Sequence, residues 1–137
     1  MKKFSQQIIQ AFFPPFVLYL FQYLVEIAFQ IYEKYPSFDI PMHFFAGCAM
    51  ALTGFSLLKI AEEKNWMKIQ NRLVKIFLVI SFVALVATLW EFHEFLMDYY
   101  LDTHTQPSIA DTMKDLFLGL CGALVAGSIL VYKKERK

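Results

Sequence analysis

Charge is scarce in this chain. Only 18% of its 137 residues are Asp, Glu, Lys or Arg, while 58% are hydrophobic. A soluble domain of this size needs more charge to cover its surface, so ordinary soluble folds are excluded. Excess charge of one sign is also missing, with a formal net charge of +1. No basic stripe interleaved with aromatics runs along the chain, which leaves no nucleic-acid partner to expect. Cysteine is nearly absent. Cys48 and Cys121 each sit inside an apolar run and read as small packing residues rather than a disulfide or metal pair. GxSxG, HExxH, CxxC and Walker patterns are all missing, so no standard nucleophile, zinc or nucleotide motif is present.

What the chain does have is apolar length. A bilayer core of about 30 Å needs about 20 apolar residues as helix. Four segments qualify, at about 14–32, 41–61, 73–97 and 111–132. The expected fold is all-α: a polytopic membrane protein whose single domain is a four-helix transmembrane bundle. Pro14 and Pro15 are expected to start the first span, because proline is tolerated in a first turn and disrupts a helix interior. The preceding KKFSQQIIQAFF then reads as a short interfacial helix. The first apolar run is too long for a signal peptide, contains Gln22 and Glu26, and lacks a small-x-small cleavage site.

Loop charge predicts orientation. Lys2 and Lys3, the middle loop with Lys59, Lys64, Lys68, Arg72 and Lys75, and the final KKERK are all basic. The other two loops are not. The positive-inside rule therefore puts both termini and the middle loop in the cytoplasm of an inner membrane.

That topology gathers the acids. Glu91, Glu94 and Asp98 in WEFHEFLMD follow fifteen uncharged residues and lie at the outer end of span three. Their i, i+3, i+7 spacing puts them on one helix face, with His93 pointing elsewhere. Asp111 and Asp115 share a face at the outer start of span four. That face continues through Gly119, Gly122 or Ala123, and Ala126. His43 stands at the outer start of span two, above Gly47, Ala51 and Gly54. Small residues at this spacing allow close helix approach, so the polar groups should point into the bundle. Glu26 lies in the outer half of span one. A lipid-facing charge at mid-depth costs about 2.5–3.5 kcal/mol, so the carboxylates must be protonated, hydrated, paired or bound to a cation. His43, Glu91, Glu94, Asp98, Asp111 and Asp115 are the candidate ligands for a divalent cation such as Mg²⁺, Mn²⁺ or Zn²⁺. Glu94, Asp115 and Glu91 are the candidate catalytic groups, since burial beside like charges suits carboxylates to proton transfer. Ser108 is offered as N-cap of the last helix.

HFFAG, WEFHEF followed by Asp98, and DTMKDLFLGLCGAL together resemble the YjdF-like group of small bacterial and archaeal membrane proteins, which shares features with VanZ-like proteins. The resemblance covers spans two to four. It picks out His43, Gly47, Glu91, Glu94, Asp98, Asp111, Thr112, Asp115, Gly122 and Ala123. It implies a membrane fold and, through the VanZ-like link, a role at the cell envelope.

Three functions compete at this level. One is an intramembrane enzyme acting on an envelope lipid or phosphate ester through a carboxylate-bound cation. The second is a non-catalytic scaffold or partner subunit. The third is a proton- or cation-coupled transporter component, for which four spans would require a homo-oligomer. Membrane lipid is the expected partner in each.

Overall fold

The computed structural model describes residues 2–134; residues 135–137, part of the KKERK on which the orientation partly rests, lie outside the described range. Its helices are α1 (Lys2–Phe29), the single turn α2 (Ile31–Lys34), α3 (Asp39–Glu63), α4 (Arg72–Leu101) and α5 (Ile109–Lys134), with a 3-10 turn at Pro36–Phe38 before α3. Four of them, α1, α3, α4 and α5, are long and apolar enough to cross a bilayer. The protein is an all-α membrane protein. No strand occurs among the described residues.

α3 is the central helix. It packs most extensively on α5, and also on α1 and α4, while α4 packs on α5. The core among α3, α4 and α5 is built of small and β-branched residues, Ala51, Val79, Val83 and Ala123, flanked by Met50, Phe55, Ile80, Phe82 and Ala126. Large side chains such as Phe16, Phe77, Leu85, Phe117 and Ile129 face outward, as they should where the surrounding solvent is hydrocarbon rather than water. α1 lies at the periphery, touching α4 through the Tyr19–Trp90 edge contact, with ring centroids 6.3 Å apart.

The N-terminal stretch differs from expectation. Lys2–Phe13 is helical, but it runs without a break into the helix that follows rather than forming a separate one. Pro14 and Pro15 lie inside one continuous helix. A proline at position i removes the hydrogen bond to the carbonyl of i−4, so Pro15 orphans Ala11. The structure supplies the missing donor from a neighbouring helix. The Thr53 hydroxyl of α3 donates to the Ala11 carbonyl at 2.8 Å, with Ala11 only 3% and Thr53 0% exposed. Re-satisfaction by a neighbouring Ser or Thr is the standard way a membrane helix tolerates an internal proline. Pattern reading on α1 alone could not show a partner 42 residues away.

The first helix also ends earlier than expected. Gln30 is left-handed (φ 51°), which breaks the helix before Tyr32. Glu26 then accepts from the Tyr32 backbone amide at 3.1 Å and caps the α2 turn. At its other end, α3 starts two residues before Pro41. Proline in a first turn is permitted, so the helix begins at Asp39.

Candidate metal centre

α3 and α5 run parallel, both starting at the end of the bundle opposite the start of α1. Two matched ladders at i, i+4, i+8 face each other: Asp39, His43 and Gly47 on α3, and Asp111, Asp115 and Gly119 on α5. Contact is tightest at the glycines. A Cβ added at Gly47 would overlap the Gly119 carbonyl oxygen and stand 2.8 Å from the carbonyl carbon; one at Gly122 would overlap the Phe44 carbonyl oxygen. With backbones this close, side chains one turn up must meet. His43 and Asp115 do.

The result is a compact polar group. His43 Nε2 lies 3.1 Å from Asp39 Oδ1 and 3.9 Å from Asp115 Oδ2. One donor atom from each of Asp39, His43 and Asp115 lies within 4.8 Å of the others. Lys114 reaches the same place. Its ammonium is 3.6 Å from Asp39 Oδ2 and 3.6 Å from Asp115 Oδ1, and it bonds the Asp111 carboxylate directly. Asp115 is 4% exposed, and its Oδ1 has no hydrogen-bond partner. The Lys114 ammonium is the cation facing that oxygen, at ion-pair rather than hydrogen-bond distance.

The Tyr32 hydroxyl is buried and has no hydrogen-bond partner, which among the described residues is true of one other buried side-chain atom, Asp115 Oδ1. Burial, and then the negative fields of Asp39, Glu26 and Glu94, hold the Tyr32 phenol well above its usual pKa. It stays a proton donor at any physiological pH.

The structure places the other expected residues as follows. Glu94 is half-buried in the same layer, within electrostatic reach of His43 and Tyr32, and accepts from Trp90 Nε1 at 2.8 Å. Glu91 is 7% exposed and takes the Gln106 amide at 3.2 Å. Asp98 engages the loop that follows α4. It accepts from the Thr103 and Thr105 hydroxyls and from the Thr105 and Gln106 backbone amides, which organises that loop. Asp111 holds Lys114, and Ser108 caps α5 by accepting from the Asp111 amide at 3.1 Å. His93 stacks near Trp90, 5.3 Å between centroids, and His104 is exposed. Cys48 donates to the Gly122 carbonyl at 3.4 Å, a packing contact between α3 and α5.

Asp39 is absent from the sequence-derived ligand set because a span beginning at about 41 leaves it outside the helix, although it continues the His43, Gly47, Ala51 face one turn upward.

Four apolar helices, with a polar cluster held between two of them, define a polytopic membrane protein. The family of predicted membrane proteins DUF2238 matches residues 11–136, and the chain belongs to that family. No curated protein and no solved structure matches it.

Proposed function

We propose that this protein binds a divalent cation through Asp39, His43 and Asp115, on the outer side of a cell inner membrane, and uses it to engage a phosphate-bearing lipid or ester. The observation that carries the reading is the convergence of these three donors, with Asp115 buried and its Oδ1 lacking a hydrogen bond. Cis ligands around a small divalent ion stand about 3 Å apart and trans ligands about 4 Å, so the 3.1 and 3.9 Å separations need only small adjustment. Two carboxylates with one imidazole suit Mn²⁺ or Zn²⁺, and Mg²⁺ with added waters. Three protein ligands leave positions open for water or substrate, the arrangement of a catalytic rather than a closed structural site. Lys114 supports the choice of a phosphate. It lies within 4 Å of two ligands and is anchored by Asp111.

Lys59, Lys64, Lys68, Arg72 and Lys75, at the end opposite the site, support the outer-side reading through the positive-inside rule. The YjdF-like and VanZ-like resemblance belongs to this reading and points to the envelope. An alkaline phosphatase fused to the C-terminus should be inactive in cells; activity would invert the orientation.

Calorimetric titration of Mn²⁺ and Zn²⁺ into detergent-purified protein tests the cation site. Saturable binding at one ion per chain is expected, abolished in Asp39→Asn with helical circular dichroism unchanged. Equal binding by that variant would rule the site out.

A further inference from the structure

The opposite end of the bundle carries a second polar site, independent of the cation reading. We propose that a cleft between α1 and α3, beside the basic loop, holds the headgroup of a phosphoethanolamine lipid, with the phosphate on Lys59, Ser56 and Gln10 and the ammonium on Glu63.

The cleft follows from the way the two helices meet. α1 and α3 run antiparallel, joined where the Thr53 hydroxyl donates to the Ala11 carbonyl and again where Gln7 meets Glu63. Between these two contacts lies a cleft of about 170 Å³. Ala11 and Ile60 form its apolar part, and both are buried. Its polar walls are Gln7 and Gln10 of α1 and Ser56, Lys59 and Glu63 of α3. With 25 residues, α3 is about 37 Å long at 1.5 Å per residue. That exceeds a hydrocarbon layer of about 30 Å, so the last turns of the helix stand at the depth of lipid headgroups.

The two charges in the cleft do not pair with each other. Lys59 and Glu63 stand at i, i+4 on one helix face, the spacing at which opposite charges ordinarily meet. Glu63 instead accepts from Gln7 Nε2 through Oε2 at 2.8 Å, which leaves Oε1 open. The Lys59 ammonium lies 6.0 Å from the Phe55 ring centroid and has no carboxylate partner among the described residues. A lining of one cation and one anion fits a zwitterion. A purely anionic headgroup would gain Lys59 and be repelled by Glu63. Phosphate oxygens accept from the Lys59 ammonium, the Ser56 hydroxyl and the Gln10 amide. A primary ammonium donates to Glu63 Oε1, whereas a trimethylammonium has no N–H to give. That difference selects ethanolamine over choline.

The test is native mass spectrometry of the full chain in detergent, titrated in turn with phosphatidylethanolamine, phosphatidylcholine and phosphatidylglycerol of the same acyl chains. Phosphatidylethanolamine should be retained about threefold or more tightly than either of the others, the scale of one partly exposed ion pair. Lys59→Gln should weaken all three lipids, because each carries the phosphate. Ser56→Ala removes a phosphate donor with less disturbance and should act in the same direction, which keeps the test decisive if Lys59→Gln does not fold. Glu63→Gln retains an acceptor for Gln7 and should erase the advantage of ethanolamine over choline. Equal retention of the three lipids by the wild type overturns the inference, and so does tighter retention of phosphatidylglycerol. A preference for phosphatidylethanolamine that survives Lys59→Gln, Ser56→Ala and Glu63→Gln unchanged overturns it as well, since the lipid then binds elsewhere.

Discussion

Gly47 and Gly119 face each other at one level of the α3–α5 contact, yet alanine at the two positions should behave in opposite ways. At Gly47 a methyl group would fall on the Gly119 carbonyl oxygen and lie 2.8 and 2.9 Å from its carbonyl carbon and Cα. These are backbone atoms, and they cannot swing aside. The helices would have to part by roughly 1 Å or more to regain van der Waals separation. At Gly119 the added methyl meets nothing nearer than the His43 carbonyl at 3.9 Å and Ala87 Cβ at 4.0 Å, which is ordinary contact. Both substitutions gain the same helix propensity, about 0.8–1 kcal/mol. That gain cancels in the comparison, so the variants should differ by the overpacking cost alone, about 1–3 kcal/mol. The site follows the helices. Parting them by roughly 1 Å carries His43 and Asp115 beyond their 3.9 Å separation and should weaken cation binding at least tenfold, as disturbed supporting contacts do. Thermal unfolding in detergent micelles, paired with Mn²⁺ titration, reads both effects. Gly119→Ala should match or exceed wild type in stability; Gly47→Ala should lose stability and metal affinity together. Equal behaviour of the two variants would refute the close-approach account of the site.

Other outcomes are equally specific. Thr53→Val leaves the buried Ala11 carbonyl unpaired and should cost about 1–3 kcal/mol; adding Pro15→Ala restores an intrahelical donor, and a double-mutant cycle should show most of that loss recovered. Asp98→Asn should raise amide exchange across residues 102–106 and leave Mn²⁺ binding intact, since Asp98 serves the loop; loss of metal in this variant would return Asp98 to the ligand set. Lys114→Gln removes a competing cation 3.6 Å from two ligands and should raise Mn²⁺ affinity several-fold by calorimetry. A decrease would mean that the lysine supports the ion instead of competing with it.

The fold was legible because a bilayer imposes length and apolarity on each span, and 15 uncharged residues before Glu91 leave little alternative. The site was legible in part for the same reason: acids on apolar helices stand out, and the His43–Gly47 and Asp115–Gly119 spacings already placed two of its members above a close contact. Three features were not legible, each for a physical cause. Asp39 was hidden by the mistaken start of its helix at Pro41. The continuity of α1 through Pro14 and Pro15 depends on Thr53, a tertiary partner with no local signature. The duty of Asp98 depends on how residues 103–106 fold back onto it, and spacing along α4 cannot foretell a loop.

The cation at Asp39, His43 and Asp115 is the centre of the account, and its most direct test is elemental analysis of protein purified in detergent and equilibrated with Mg²⁺, Mn²⁺ and Zn²⁺. About one divalent ion per chain in the wild type, absent from Asp115→Asn and retained in Asp98→Asn, is the predicted result. No ion in the wild type, with all three proteins equally folded, would contradict it and would mean that Lys114 and a shared proton suffice to neutralise the buried carboxyls.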